Sequence, residues 1–328
     1  MNRSTKKWLF FLLHLTGFVL LYFVVRDLEW ESFFEVLMYF PAWKYLVGLG
    51  ILSLVYAIKA YRWQILNRSF GIQTHWRTAL VFYLSAGFLS VVTPGRLGEF
   101  AKIYFLRRRY DIDLTAATSS VILDRIWDLL VLSFAAALSI VLMLSGAGLN
   151  LLSLLIIALL FTGSLMVVLA PRIIFMPLLG PFRRFSSLHN KLEKMVQLWS
   201  SNRFNHFITA LAISSGAFLM LAFIPVLFAG STPYPVDYTS GLGAISISNI
   251  LSFIPVTIAG FGTRELVFAK IWDLSHHPKE VAISISTAYF VVTYLGSLLI
   301  GGVVYLFNAK RLYHPGEIRR MSSEEKPV

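Results

Sequence analysis

Residues 115–144 read TAATSSVILDRIWDLLVLSFAAALSIVLML and are apolar over most of their length. About 20 consecutive, mostly apolar residues suffice for a helix to cross a hydrocarbon layer about 30 Å thick, so this run predicts a spanning helix. Five other apolar stretches predict spanning helices over residues 8–25, 45–66, 149–170, 206–229 and 279–308. The predicted fold class is therefore an all-α, polytopic membrane protein with six spanning helices.

The composition of the 328-residue chain agrees with this prediction. Only 14% of the residues are charged and 57% are hydrophobic, whereas about 25% of a soluble domain is charged. In a soluble protein, the formal net charge of +12 would suggest nucleic-acid binding. Here the Lys and Arg residues cluster in loops between apolar stretches, so we interpret them as orienting the helices and attracting anionic lipid, and we predict no nucleic-acid partner. The absence of Cys excludes disulfides and thiolate chemistry.

Two further apolar stretches are each broken by Pro and Gly. Residues 79–106 are interrupted over 93–99, and residues 241–272 are interrupted over 255–262. Each arm is too short to cross the bilayer alone, and each break frees backbone groups that hydrocarbon cannot satisfy. We therefore predict two re-entrant helical hairpins that are buried among the spanning helices.

Loop charges give this topology an orientation. The acidic loop falls on one side, and all the basic clusters fall on the other; these clusters lie within residues 3–7, 68–77, 107–109, 172–203 and 310–320. An excess of Lys and Arg marks the cytoplasmic side, so both termini are predicted to be cytoplasmic in a multi-pass protein of the cytoplasmic (inner) membrane.

The two hairpins then enter the membrane from opposite sides, the first from the cytoplasm and the second from outside. This arrangement is expected of an inverted repeat. The spacing agrees, because Gly95 and Gly260 are 165 positions apart, and so are Asp113 and Pro278, which precede the helices that follow.

The topology divides the chain into four parts. They are a first membrane half over 1–170, a cytoplasmic amphipathic linker over 171–205, a second membrane half over 206–310 and a polar tail over 311–328. In the linker, Leu188, Leu192, Met195, Val196 and Trp199 recur at helical spacing. This pattern predicts an amphipathic helix that lies on the inner leaflet.

Charged residues at the tip of the first hairpin form a candidate anion site. Arg96 and Glu99 lie at the tip, and Lys102 lies just beyond it. Gly95 and Gly98 allow close approach of the backbone, and the half-helix that follows presents free N–H groups and the positive end of its dipole. This combination suits a phosphate or a carboxylate. Alternatively, Arg96 and Glu99 neutralise each other at i and i+3 in a buried turn.

A second charged cluster, Asp124, Arg125 and Asp128, lies inside the predicted span over 115–144. An ionisable group within a span costs about 2.5 to 3.5 kcal/mol, so such groups usually face a cavity or a partner. The two Asp residues share a helix face, and they could pair with Arg96 or Arg62 or line a polar path. A buried ion network that only locks the bundle explains them nearly as well.

In the second hairpin, Arg264 and Glu265 follow Gly260 and Gly262 and repeat the pairing of a basic and an acidic residue after a glycine turn. Their position opposite the first hairpin makes them candidate site residues.

Three polar residues near the end of the second span, Lys59, Tyr61 and Arg62, are interpreted as anchors that reach toward the membrane surface, and a role in the site is the alternative. The sequence contains no His-Glu-x-x-His pattern, no phosphate-binding loop and no nucleophile elbow. We therefore predict no catalytic residue, no metal and no cofactor.

Taken in order, these motifs resemble the transmembrane region of lysylphosphatidylglycerol synthases, also called a flippase-like family, over residues 8–308. The residues that carry the resemblance are Thr93-Pro94-Gly95-Arg96-Leu97-Gly98-Glu99, then Asp124-Arg125 and Asp128, then Pro255 and Ala259-Gly260-Phe261-Gly262 with Glu265. In bifunctional members this region moves an aminoacylated phospholipid between leaflets, and a separate soluble domain makes that lipid. The resemblance therefore implies a lipid translocator. Lipid aminoacylation is not expected, because no soluble synthase domain is found in this sequence. Ile258-Ala259 departs from the usual glycine-rich second motif, and this departure leaves the identity of the substrate open.

The leading hypothesis is a translocase, not an enzyme, for membrane lipids with an anionic or phosphate-bearing headgroup, either phospholipids or polyprenyl-phosphate-type lipids. Arg96 would bind the headgroup phosphate and Arg264 would be its counterpart, while the acidic residues hold the arginines or a cationic headgroup. The candidate substrate-binding residues are Arg96, Glu99, Lys102, Asp124, Arg125, Asp128, Arg264 and Glu265. The alternatives are a membrane enzyme or accessory subunit that modifies lipid-linked sugars or phospholipids, and a structural partner of such an enzyme. A homo-oligomer is also left open.

Overall fold

A computed structural model describes residues 29–144, 171–178, 186–200, 204–253, 262–274 and 276–313, together with Tyr22, Arg26, Leu155, Thr162, Met166 and Gly260. All regular secondary structure in that part of the chain is helical. The α-helices, numbered in chain order, are α1 (Trp30–Tyr39), α2 (Ala42–Ser69), α3 (Trp76–Val91), α4 (Ala101–Tyr110), α5 (Leu114–Leu144), α6 (Pro171–Leu178), α7 (Ser186–Ser200), α8 (Phe204–Ala229), α9 (Tyr238–Ser252), α10 (Thr263–Asp273), α11 (Lys279–Phe290) and α12 (Gly296–Tyr313). A 3₁₀ segment (Pro94–Phe100) joins α3 to α4, and a π-helical turn (Val291–Leu295) joins α11 to α12.

Four helical segments are long and apolar enough to cross a membrane. They are Ala42–Ser69, Leu114–Met143, Ile208–Ala229 and Lys279–Ala309. These segments confirm helices at four of the six predicted spans and define a multi-pass membrane protein. The other two predicted spans, over 8–25 and 149–170, lie outside the described residues, as does most of the predicted polar tail.

Small residues allow the central helices to pack closely. A Cβ atom added at Gly243 of α9 would lie 3.0 Å from the Cβ atom of Ser139 on α5. One added at Gly301 of α12 would lie only 2.5 Å from the carbonyl oxygen of Leu84 on α3. Close backbone approach of this kind is typical of helices that associate in lipid, where van der Waals packing replaces the hydrophobic effect.

The outer surface of the bundle is apolar along α12. Leu299 is 64% exposed and Phe307 is 86% exposed, and Val303 and Leu306 are exposed on the same helix. An exposed apolar face of this length would be costly in water. It fits a helix that faces hydrocarbon.

The break in the first hairpin is confirmed. Gly95 and Arg96 adopt left-handed backbone conformations with φ angles of 57° and 55°. The amide of Gly98 donates a 2.6 Å hydrogen bond to the hydroxyl of Thr93, and a Cβ atom at Gly98 would lie 2.1 Å from the carbonyl carbon of Leu89. The glycines at the tip are therefore required by local geometry. That both arms open to the same membrane face stays a prediction.

The second hairpin is described by its two arms, α9 and α10, while residues 254–259 of its turn lie outside the described residues. Gly260 and Gly262 have φ angles of 77° and 81°. Gly95 and Gly260, which the sequence pairs at a spacing of 165, thus share a left-handed backbone. Entry of the two hairpins from opposite faces remains a prediction.

The amphipathic linker helix α7 packs on the bundle. Met195, Val196 and Trp199 are buried, and the indole N–H of Trp199 donates a 3.2 Å hydrogen bond to the carbonyl oxygen of Ser119 on α5. Part of this apolar face is therefore covered by the bundle, and the position of α7 on the inner leaflet stays a prediction. An amphipathic pattern specifies an apolar neighbour without distinguishing lipid from protein.

Candidate functional site

The tip of the first hairpin lies beside a cavity of about 90 Å³. The cavity lies among α2, α3, α5, α8 and the π-helical turn, and both hairpins contribute to its wall. Its polar lining side chains are Tyr56, Lys59, Tyr83, Ser90, Arg96, Glu99, Lys102, Arg125, Asp128, Asn249, Tyr289, Thr293, Tyr294 and Ser297.

Arg62 is the centre of the ion network behind this cavity. Its guanidinium group is fully buried and lies 2.5 Å from a carboxylate oxygen of Asp124 and 2.7 Å from one of Asp128. It also donates to the hydroxyl of Ser214 on α8. The interpretation of Arg62 as a surface anchor is therefore wrong, since its side chain points at α5 and joins three helices.

Two lysines extend the network from Arg62 to the cavity wall. The Lys102 ammonium lies 2.7 Å from Asp124 and 4.1 Å from the centre of the Tyr83 ring. The Lys59 ammonium lies 3.2 Å from Asp128. Lys59 was also interpreted as an anchor, and the structure corrects this too, because only 12% of its side chain is exposed.

Arg125 ties the tip of the first hairpin to α5. It forms an ion pair with Glu99 at the tip, and its other terminal nitrogen lies 2.8 Å from Asp124 and 3.1 Å from Asp128. The same nitrogen donates a 2.9 Å hydrogen bond to the hydroxyl of Tyr83. Glu99 therefore holds an arginine, as expected, but that arginine is Arg125 and not Arg96.

Arg96 differs from the other cations because its recorded partners are neutral. It donates to the amide oxygen of Asn249 at 3.1 Å and to the hydroxyl of Tyr294 at 3.2 Å. No carboxylate lies within 4 Å of it among the residues that the structure describes. The alternative in which Arg96 pairs with Glu99 is thus wrong, and so is a pairing with Asp124 or Asp128. Arg96 also has a left-handed backbone. At a residue other than glycine, this conformation costs about 1–3 kcal/mol, so the tip is strained at Arg96.

Tyr294 connects the two hairpins. The guanidinium carbons of Arg96 and Arg264 each lie 5.6 Å from the centre of its ring, a distance at which a cation is attracted to the ring face. Tyr294 belongs to the π-helical turn, and such turns inside α-helices are frequent at functional sites. The ring therefore links the arginines that the sequence places opposite each other.

Arg264 and Glu265 lie outside the cavity. They form an ion pair with each other, and Glu265 accepts a 2.8 Å hydrogen bond from the amide of Gly262 at the start of α10. Arg264 also donates a 3.1 Å hydrogen bond to the hydroxyl of Ser286. This pair thus shapes the start of α10, and Arg264 contacts the ring of Tyr294, which lines the cavity.

Five of the eight predicted site residues line the cavity, namely Arg96, Glu99, Lys102, Arg125 and Asp128. Asp124 lies directly behind them, paired with Arg62 and Lys102. The predicted pairing of Asp124 and Asp128 with Arg62 is confirmed. Sequence reasoning did not find the pairing of Lys59 with Asp128, and it did not find Asn249, Tyr289 or Tyr294. A neutral Asn or Tyr inside an apolar stretch carries no signal at the level of sequence.

The fold and the cavity together define a multi-pass helical membrane protein with a charged cavity inside its helical bundle. Residues 9–301 match the family described as the lysylphosphatidylglycerol synthase TM region. The chain belongs to this family, as the resemblance implied. The family is a membrane domain associated with lipid modification or translocation. Comparison with curated proteins gives no significant match.

Proposed function

We propose that this protein moves a phospholipid or a polyprenyl-phosphate-type lipid between the leaflets of the membrane. The headgroup passes through the cavity while the acyl chains stay in the surrounding lipid. One observation carries the proposal. Arg96 lies at a strained hairpin tip beside a cavity in an apolar bundle, and its recorded hydrogen-bond partners are neutral.

Arg96 suits a phosphate for chemical reasons. A guanidinium group forms two parallel hydrogen bonds to phosphate oxygens. The amide oxygen of Asn249 and the hydroxyl of Tyr294 both accept hydrogen bonds from its Nη2 atom. Neutral partners can be exchanged for an anion without separating an ion pair, so a phosphate can replace them at little electrostatic cost. Lys59 and Lys102 add positive charge to the same wall.

The acidic residues favour translocation over the enzymatic alternative. A general base needs an accessible carboxylate whose pKa is near the working pH. Glu99 is paired with Arg125, and Asp128 is paired with Lys59 and Arg62. Each carboxylate that lines the cavity is therefore neutralised by a cation, which makes it a poor base and a good positioning group.

Translocation also requires the hairpins to separate. A cavity of about 90 Å³ is smaller than the roughly 300–1,000 Å³ that ligand sites usually provide. The contacts from Arg96 to Asn249 and Tyr294 join the first hairpin to the second half of the chain. Alternate opening of these contacts toward either face of the membrane would carry a headgroup across. The left-handed glycines at the two tips are suited to act as hinges.

Proteoliposomes containing fluorescent lipids test this function. A membrane-impermeant quencher reports which leaflet each lipid occupies, so the exchange rate is measured directly. The wild type is expected to exchange a phosphate-bearing lipid faster than empty liposomes do. Arg96→Ala is expected to slow exchange about tenfold or more, because each charge-assisted hydrogen bond contributes about 1.5–3 kcal/mol. The matched control is Arg107→Ala, which removes an exposed arginine from the last turn of α4.

Two results would count against the proposal. Equal rates for the wild type and Arg96→Ala would remove the role assigned to Arg96. Absence of exchange by the wild type, for phospholipids and for polyprenyl phosphates alike, would remove the function itself.

A further inference from the structure

The buried ion network contains more positive than negative charge. Five basic side chains belong to it or line the cavity, namely Lys59, Arg62, Arg96, Lys102 and Arg125. Three carboxylates oppose them, namely Glu99, Asp124 and Asp128. With every one of these groups ionised, the formal surplus is two positive charges. Counting only the side chains that line the cavity gives four cations against two carboxylates and the same surplus.

Among the residues that the structure describes, Glu99, Asp124 and Asp128 are the carboxylates that form ion pairs with these cations. Arg264 and Glu265 neutralise each other. The sequence contains no Asp or Glu within the predicted spans 8–25 and 149–170, nor within residues 254–259 of the second hairpin. A buried charge that lacks a partner is strongly unfavourable in a medium of low dielectric constant. The cavity is therefore built to be completed by an anion.

We infer that the cavity selects lipids whose headgroup is a terminal phosphate monoester and disfavours headgroups that carry an ammonium group. The inference rests on the proposed function and specifies its substrate class. A phosphate monoester carries a charge of about −1.5 to −2 near neutral pH, which matches the surplus. A phosphodiester carries one negative charge, and a headgroup with an added choline or ethanolamine has no net charge. A lysylated glycerol headgroup, with two ammonium groups and one phosphodiester, has a net positive charge.

The geometry of the wall supports the same selection. An ammonium group would need a free carboxylate, but Glu99 and Asp128 are already paired with cations. A phosphate would find donors instead, because the hydrogen bonds of Arg96 go to two neutral groups, the amide oxygen of Asn249 and the hydroxyl of Tyr294. Hydroxyl groups of Tyr289 and Tyr294 line the same space and can donate to further phosphate oxygens.

Binding to the purified, full-length chain in detergent tests the inference without requiring transport. The probes are dihexanoyl lipids that share their acyl chains and differ in headgroup: phosphatidic acid, phosphatidylglycerol, phosphatidylcholine and lysyl-phosphatidylglycerol. Phosphatidic acid is expected to bind about tenfold or more tightly than phosphatidylglycerol, with the other two weaker still. Equal affinities across the series, or tighter binding of the lysylated lipid, would overturn the inference. Inorganic phosphate is a separate probe, and binding of it as tight as that of phosphatidic acid would identify free phosphate, not a lipid, as the ligand.

Variants then test the charge count. Lys59→Gln lowers the surplus from two to one, so it is expected to reduce the preference for phosphatidic acid over phosphatidylglycerol. Lys270→Gln removes the same charge from an exposed position on α10 outside the cavity and should leave the preference unchanged. An unchanged preference in Lys59→Gln would contradict the count. Should that variant fail to fold, the wild-type lipid series still decides the matter.

Failure of this inference differs from failure of the proposed function. A preference for phosphate monoesters without leaflet exchange would support the inference and refute translocation. Exchange at equal rates for all headgroups would support translocation and refute the inference.

Discussion

Substitution of Gly98 by Ala tests whether the hairpin tip must lie directly on the end of α3. The added Cβ atom would lie 2.1 Å from the carbonyl carbon of Leu89, whereas ordinary contacts begin at 3.4 Å. The tip must therefore move by about 1.3 Å, and the atoms that block it belong to the backbone and cannot rotate away. The loss of stability is expected to be at least the roughly 1–3 kcal/mol of ordinary overpacking.

The displacement also predicts an effect on function. Gly98 lies between Arg96 and Glu99, so a shift of the tip moves both side chains away from their present partners. Under the proposed function, Gly98→Ala is therefore expected to slow lipid exchange even at temperatures where the protein remains folded. Thermal unfolding in detergent, followed by tryptophan fluorescence, measures the stability, and the liposome assay measures exchange.

Gly50→Ala is the matched control for Gly98→Ala. No atom lies within 4 Å of a Cβ atom added at Gly50, which lies inside α2. Replacement of a helical glycine by alanine usually stabilises a helix by about 0.5–1 kcal/mol. The control should therefore melt at the same or a slightly higher temperature than the wild type. If Gly98→Ala melts together with Gly50→Ala, the tip does not pack as described and the reasoning is refuted.

Three further substitutions test other parts of the structure. Arg62→Leu removes the centre of a buried ion network and is expected to cost about 3–5 kcal/mol of unfolding free energy, whereas Tyr61→Leu at the exposed neighbour should cost little; equal melting temperatures would contradict the network. Gly301→Ala is expected to separate α12 from α3 and lower the melting temperature, and an unchanged value would show that the helices are not in backbone contact. Asp237 caps the N-terminus of α9. Burial raises the pKa of its carboxyl group, but hydrogen bonds from Ser240 lower it by more, so the pKa is below its ordinary value. The carboxylate therefore stabilises the fold above a pH of about 4, and this contribution is lost as the pH falls through the lowered pKa. Melting temperatures of the wild type and Asp237→Asn should converge on acidification, and a constant difference would exclude this role.

The length of apolar runs was sufficient to predict four helices and the break in the first hairpin. These features depend on local properties, namely hydrophobicity over about 20 residues and the inability of Pro and Gly to continue a helix in lipid. The buried position of Arg62 depends instead on a distant partner. The sequence predicted that the second span ends at residue 66, whereas α2 continues to Ser69. Arg62 was therefore interpreted as an anchor at the membrane surface, and its pairing with the two acids on α5 was stated only as one of several options.

The contribution of Tyr294 could not be predicted from the sequence. Its ring contacts both arginines from within a π-helical turn of the helix between Lys279 and Tyr313. A turn of this kind shifts the helical register of the residues that follow it, and the residues of this turn, VVTYL, have no composition that marks it. The surroundings of the linker helix α7 could not be predicted either, because its apolar face predicts burial without specifying whether lipid or protein covers it.

The close contact between α12 and α3 also limits how the first hairpin can move. Phe88 lies against Gly301 and Gly302, and the backbone of α3 approaches the backbone of α12 with no layer of side chains between them. Tilting α3 away from α12 would open an empty gap, whereas sliding it lengthwise keeps the surfaces in contact. The permitted displacement of this arm is therefore a small axial translation, and its direction is set by a helix from the other half of the chain.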